Sequence, residues 1–187
     1  MEYKNQTENR AFQEMLQVAV KRLQNRSGED IAAKSGAVFH SSRNVLEVPS
    51  FHEVFEIQLP EFYISSDIDE WHYLTLLHYL DMADGTEGSH KLITFGNLKD
   101  GLIRGTKFDR TAEQKLEKLL QDKDPEKIQK ACTSLGAEFT ETTADLCAAF
   151  PVLPRYPVTL KIWFADEEFP VSGKIFLQDH ALSLIHI

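Results

Sequence analysis

The chain has only two cysteines, no apolar run of membrane-spanning length and no surplus of positive charge. Each shortfall closes off a class of function. Cys132 and Cys147 form no C-x-x-C pair and are too few for a disulfide framework or a four-thiolate centre, so no iron–sulfur cluster is expected in this chain. Both sit among apolar neighbours and read as small buried hydrophobes. The opening Met1-Glu2-Tyr3-Lys4-Asn5 has no apolar core of a signal peptide, and no stretch approaches the ~20 apolar residues of a spanning helix. A membrane partner is therefore not expected, and a reducing cytoplasm is the natural compartment. There, the sequons at Asn5-Gln6-Thr7 and Asn25-Arg26-Ser27 are chance matches. Acidic residues number 29 against 20 basic, a formal net charge of -9. That balance argues against nucleic acid as the main partner, because phosphate binding wants lysine and arginine in excess.

What the chain does have is a hydrophobic content of 42% and a charged content of 26% over 187 residues. Those values suit a soluble globular chain able to bury a real core. One domain over residues 1–181 is expected, with a helix from Thr7 to Arg26 at its periphery. The stretch from Asp145 to Asp179 organises the rest. Leu146 to Phe150 reads as one strand, and Lys174 to Leu177 as another. Between them Val158, Leu160, Ile162 and Phe164 fall on one face of a third, since successive strand side chains point to opposite sides. Pro154-Arg155-Tyr156-Pro157 and Ser172-Gly173 supply turns, so an antiparallel three-strand meander is predicted.

Earlier in the chain, Phe12, Leu16, Ala19 and Leu23 make the stripe of the first helix. Ser27-Gly28-Glu29-Asp30 has the Ser-x-x-acid pattern of a helix start, and Gly36 is its stop. Val45, Leu46 and Val48, then Phe55, Ile57 and Leu59, then Phe62 to Ile64, read as short strands of the same sheet or of a smaller companion, with Pro49 and Pro60 ending the first two. Asp67 or Asp69 caps a helix from Glu70 to Ala83 that is apolar almost all round and hence buried. It is the expected partner of the meander. His78, inside it, reads as a core histidine bonded to a carboxylate or carbonyl, because no second histidine stands at i+4 to make a metal pair. Residues 96–105 hold three glycines, but Gly101 to Lys107 lacks the spacing of a phosphate loop. Two helices follow, Thr111 to Gln121 and one opening on Asp124-Pro125 and stopping at Gly136. Lys99, Arg104, Lys107, Arg110, Lys115 and Lys118 make this the most basic stretch. Because Asp100, Asp109, Glu113 and Glu117 interleave with them, a solvated helix face is expected.

Several blocks resemble a known family. Leu76-Leu77-His78-Tyr79-Leu80, Lys91 through Gly101, and Leu135-Gly136-Ala137 are similar to successive blocks of the prokaryotic family DUF3786. The clearest block runs from Pro151-Val-Leu-Pro-Arg155 through Trp163-Phe-Ala-Asp166-Glu167-Glu168-Phe169-Pro170, followed by Ile175 to Asp179. The similarity covers roughly Ile31 onward, and Phe51-His52-Glu53 departs from the family's Leu-Gly-Arg-like pattern. The resemblance implies an origin in anaerobic bacteria or archaea. Some members carry, ahead of this region, an iron–sulfur domain of a type also found in corrinoid iron–sulfur proteins. It supplies no established reaction. Family members continue into an acidic segment, whereas this chain ends Leu182-Ser183-Leu184-Ile185-His186-Ile187. That string matches a transposase sequencing adapter translated in one frame, so residues 182–187 are expected to be a non-native tail.

Chemistry is concentrated at Asp166-Glu167-Glu168, with Asp179 and His180 after the next strand and Arg155 between two prolines. Adjacent carboxylates raise one another's pKa and can serve as acid–base pairs or hard-cation ligands; solvated, they are an ordinary acidic loop. The expected architecture is α+β: an antiparallel sheet, the C-terminal meander plus short N-terminal strands, packed on a central buried helix with additional amphipathic helices. The expected function is a non-catalytic ligand-binding or accessory protein, with a small-molecule ligand or an iron–sulfur or corrinoid protein as partner. The alternative is an enzyme using Asp166, Glu168 and Asp179. No cofactor is named by the sequence.

Overall fold

The computed structural model describes residues 10–88, 91–98 and 105–179. In them the α+β class is present as five helices and two antiparallel sheets. The chain divides into two units, one of residues 1–48 and 54–86, the other of residues 49–53 and 87–187.

In the first unit, α1 (Arg10–Leu23) buries Phe12, Ala19 and Leu23, one face of a 3.6-residue repeat. Helix α2 (Gly28–Ser35) begins as its sequence demands: the Ser27 hydroxyl accepts from Asp30 N at 3.2 Å, and Gly36 stops the helix at φ 77°. Helix α3 (Glu70–Met82) is capped by Asp69, whose carboxylate accepts from Trp71 N at 2.9 Å and His72 N at 3.2 Å. Its other end, where carbonyls lack helical partners, receives a cation: Arg26 Nη1 donates to Leu80 O at 2.9 Å and Asp81 O at 3.1 Å. Leu74, Leu76, Leu77, Tyr79 and Leu80 are buried as expected. Trp71 is not; it is 40% exposed and meets Phe12 edge-on at 5.0 Å. The Tyr79 hydroxyl donates to the Ser35 carbonyl in the interior.

The companion sheet has the order β1 (Val38–His40), β2 (Val45–Ser50), β3 (Glu53–Gln58), β4 (Tyr63–Ile64). Strand β3 keeps the predicted alternation, Phe55 and Ile57 inward and Glu56 outward. Strand β2 runs through Pro49, which was expected to end it. Strand β1 pairs only with residues 45–47, so the absent proline N–H costs no bond on that side.

The second unit contains β5 (Leu92–Ile93), a 3-10 turn (Phe95–Asn97), α4 (Gly105–Leu120), α5 (Pro125–Ser134), β6 (Glu138–Phe139), β7 (Leu146–Leu153), β8 (Tyr156–Trp163) and β9 (Ser172–Gln178). The sheet order is β5-β9-β8-β7-β6, so the predicted meander forms its centre. The β7–β8 register runs from Leu146↔Ile162 to Phe150↔Val158 and slips before Leu153↔Tyr156. Pro151, which has no N–H to donate, lies within the slip. The tip of the β2–β3 hairpin belongs to this unit: Ser50 Oγ donates to Val152 O at 2.7 Å and Phe51 N to Pro151 O at 2.8 Å.

The helix covering the meander differs from the expected one. Helix α3 lies in the first unit and packs with α1 and α2, whereas α4 and α5 cover the meander. The core there joins Leu120, Cys132, Leu146, Ala148, Phe150, Ile162 and Val171, with Leu116 and Ile128 against it. The reason is steric as well as hydrophobic. Gly173 lets α4 lie close on β9, since a Cβ there would stand 3.2 Å from Leu116. Both cysteines are buried free thiols, as expected, and burial pushes the Cys132 thiol pKa up.

Candidate functional site

The acidic loop joins β8 to β9. Asp166 folds it on itself, its carboxylate accepting from Glu168 N at 2.8 Å and Phe169 N at 2.7 Å, while Asp166 N donates to Phe169 O at 3.0 Å. Those two amides hold the carboxyl below its ordinary pKa. Asp166, Glu167 and Glu168 are all exposed. Asp179 lies beyond the far end of β9, roughly 23 Å from the loop at ~3.3 Å per residue. Its N–H donates to Lys91 O at 3.1 Å.

Arg155 sits in the turn between β7 and β8, at Asp179's end of the sheet. Continuing the Val158↔Leu177 register sets Tyr156 across from Asp179. Tyr156 is packed against Leu98 and Leu177, and burial pushes its phenol up to about 12. The predicted residues therefore fall into two groups, Asp166-Glu167-Glu168 at one end of the meander and Arg155 with Asp179 at the other. His180 and residues 182–187 lie outside the described residues. Among the described residues no group of three His, Cys, Asp or Glu is placed to hold a metal ion.

His78 is half-buried, and no bond from its Nε2 to the expected carboxylate or carbonyl occurs among the described residues. Asp81 accepts from Arg22 at 3.3 Å. Two of the three glycines near residue 100 have a packing role. Gly96 and Gly105 bring the 3-10 turn against the start of α4, where Asp109 accepts from Phe95 N at 3.2 Å and Gly96 N at 2.8 Å. Residues 101–104 of that window lie outside the described set.

The concave surface of the second unit is elsewhere. A cleft of about 600 Å³ opens between the N-terminus of α5 and the segment from Phe139 to Cys147, with Phe164 at its edge. Local bonds fix its walls. Asp124 caps α5 by accepting from Glu126 N at 2.9 Å. Asp145 Oδ2 accepts from Phe164 N at 2.7 Å and ties the start of β7 to the end of β8. Thr140 N donates to Cys147 O at 3.1 Å, and the Thr140 hydroxyl lies 3.4 Å from Cys147 Sγ. Its lining includes the aromatic residues Phe139 and Phe164, the threonines Thr140 and Thr142, Gln129, and the acids Glu126, Glu141 and Asp145. Among the described residues no lysine, arginine or histidine lines it, nor any nucleophile paired with a base. A second cleft of about 430 Å³ shares Pro125 and Phe164 with it, and Ala165 and Pro170, the flanks of the acidic loop, border it.

The larger cleft was missed in the sequence. Its only signal is the polar run Thr140-Glu-Thr-Thr-Ala-Asp145 following a helix that opens on Asp124-Pro125. Neither has motif spacing, and only the β6–β7 pairing brings them together. A family model described as "Domain of unknown function (DUF3786)" matches residues 28–187. No curated protein and no solved structure matches the chain.

Proposed function

Since the chain belongs to the DUF3786 family, we propose that it is a non-catalytic ligand-binding or accessory protein of the cytoplasm, its ligand a small molecule held in the α5–β6–β7 cleft. The observation that supports this reading is the cleft itself. A concavity of about 600 Å³ that brings Phe139 and Phe164 together with six polar side chains falls within the size range of small-molecule sites. The partner side of the reading, an iron–sulfur or corrinoid protein of anaerobic metabolism, draws its support from the family resemblance. The enzymatic alternative needs its carboxylates within reach of one another. The length of β9 between Asp166 and Asp179 counts against it.

The test is to purify the protein anaerobically, release whatever co-purifies by denaturation, and identify it by absorbance and mass spectrometry. A Thr142→Trp variant, which fills the cleft from an exposed position, should lose the retained compound by about tenfold or more while keeping its circular dichroism. Wild-type protein that carries nothing, or a variant that retains the compound in full, would sink the reading.

A further inference from the structure

The most basic stretch of the sequence sorts its charges once it is coiled. On α4, Asp109, Glu113 and Glu117 recur at i, i+4 and i+8 and form one stripe. Lys107, Lys115 and Lys118, with Thr111 between them, form another on roughly the opposite side at ~100° per residue. Two members of the acidic stripe already have partners. Asp109 accepts from Phe95 N and Gly96 N, and Glu113 pairs with Lys174 at 3.7 Å. The lysine stripe has none. No ion pair to Lys107, Lys115 or Lys118 occurs among the described residues, and no acid stands three or four places from any of them within the helix.

Beside the lysines runs an apolar groove of about 300 Å³, walled by Phe108, Ala112, Leu116 and Leu119 on α4 and Ile175 on β9, with Lys115 at its rim. Phe108 is 49% exposed and Leu119 65%. From Phe108 to Leu119 the groove follows about three turns, roughly 16 Å. We infer that this groove docks an acidic amphipathic helix of a protein partner. The partner's apolar side chains at i, i+3 or i+4 and i+7 enter between Phe108, Leu119 and Ile175, and its flanking carboxylates meet the three lysines. The charge of the ridge selects the occupant: on a chain of net charge -9, three lysines with no ion pair among the described residues, beside an apolar trough, favour a partner with carboxylates at its margins. The shape suits a rod: a groove walled by α4 and β9 accepts the row of side chains that a helix presents at i, i+3 or i+4 and i+7.

The probes are three fluorescent peptides of about five turns: an amphipathic Leu/Glu helix, a scrambled peptide of the same composition, and an amphipathic Leu/Lys helix. Anisotropy titrations at about 50 and 300 mM salt should show the Leu/Glu helix binding wild-type protein at least about tenfold tighter than the scramble, and more weakly at high salt. The triple variant Lys107→Glu, Lys115→Glu, Lys118→Glu should reverse the preference toward Leu/Lys. Leu119→Ser, at an exposed position that leaves the fold intact, should weaken the Leu/Glu peptide by about tenfold. Equal or absent binding of the amphipathic and scrambled peptides overturns the inference, as does binding that survives charge reversal. Preferential co-sedimentation with phosphatidylglycerol vesicles, or a concentration-dependent dimer abolished by Leu119→Ser, assigns the groove to another occupant and overturns it as well.

Discussion

Replacing Gly105 with alanine tests whether the glycines near residue 100 are there for close packing. A Cβ at Gly105 would stand 2.5 Å from Gly96 Cα, 2.8 Å from Phe95 O and 2.9 Å from Gly96 N. All three are backbone atoms, so no side chain can swing aside. Relief requires the 3-10 turn and the start of α4 to separate by roughly 1 Å to regain ordinary contact. Overpacking of this kind costs about 1–3 kcal/mol. Separation also strains the two hydrogen bonds to the Asp109 carboxylate, each worth about 1.5–3 kcal/mol when fully formed. Against this, alanine is favoured over glycine in helices by up to ~1 kcal/mol, less at a helix end. A net loss of about 2–3 kcal/mol is expected, or roughly 5–10 °C in Tm. Urea unfolding followed by circular dichroism measures it. Gly136→Ala is the comparison: its φ of 79° strains any side chain, but nothing lies closer than 3.5 Å, so about 1 kcal/mol is expected. Asp109→Asn should also cost less in the Gly105→Ala background than alone, because the first change has already loosened the carboxylate's grip. If Gly105→Ala stays within ~0.5 kcal/mol of wild type, the packing argument is wrong.

Two pH dependences follow from groups whose environment is known. Burial, with a smaller contribution from Arg22, holds His78 below the ordinary histidine value, and Asp81 opposes it. The neutral ring is therefore the folded form, so its contribution is complete above the unfolded pKa of ~6.5 and is lost as pH falls through the lower folded value. The urea midpoint should drop between about pH 7 and 5, and His78→Gln should flatten that slope; an unchanged slope in the variant refutes the assignment. For Asp166, amide bonds from Phe169 and Glu168 lower the carboxyl pKa. Titration by NMR should place it below the ~3.9 of a free aspartate, with the Glu168 and Phe169 amides shifting at the same midpoint, and Asp166→Asn should erase that shared transition. Amides that move independently of the carboxyl would show that the turn does not depend on it.

Local chemistry carried most of what the sequence revealed about the fold. Ser27, Gly36, Asp69 and Asp124 each act at a helix end through bonds to neighbours two to four residues away, and Pro125 acts by its fixed φ at the first turn; of the two expected caps, Asp67 and Asp69, Asp69 is the one that bonds the helix. The meander was legible for the same reason, since strict alternation and turn residues are local. Partner choice was not. The all-round apolarity of α3 says that it is buried, and α1 and α2 satisfy that requirement as well as a sheet would. Burial of Leu116 and Leu120 holds α4 on the meander, and the missing Cβ at Gly173 sets how closely it lies there, a detail that hydrophobic patterning does not register. The candidate site shows the same split. Asp166 to Glu168 could be found by composition, but whether Asp179 joins them depends on which end of β9 each occupies. The cleft at α5 depends on β6, a pairing two residues long.

The docking groove shows how a single boundary can hide a surface. Read from Thr111, the fourth helix begins after Lys107, Phe108 and Asp109, and what remains is a short amphipathic segment with mixed charges. Begun at Gly105, it gains the first member of the lysine stripe, the first member of the acidic stripe and the aromatic end of the groove together. In a helix interior glycine costs up to ~1 kcal/mol relative to alanine, which counts against a helix that includes Gly105. At a first turn that cost is small, and here the backbone of Gly96 leaves room for nothing larger. The residue that argues against a helix in the sequence is the one that lets this helix begin where it does. With the start at Gly105, α4 has an acidic stripe, where Asp109 is met by the protein's own turn and Glu113 by Lys174, and a lysine stripe that faces outward beside exposed Phe108 and Leu119.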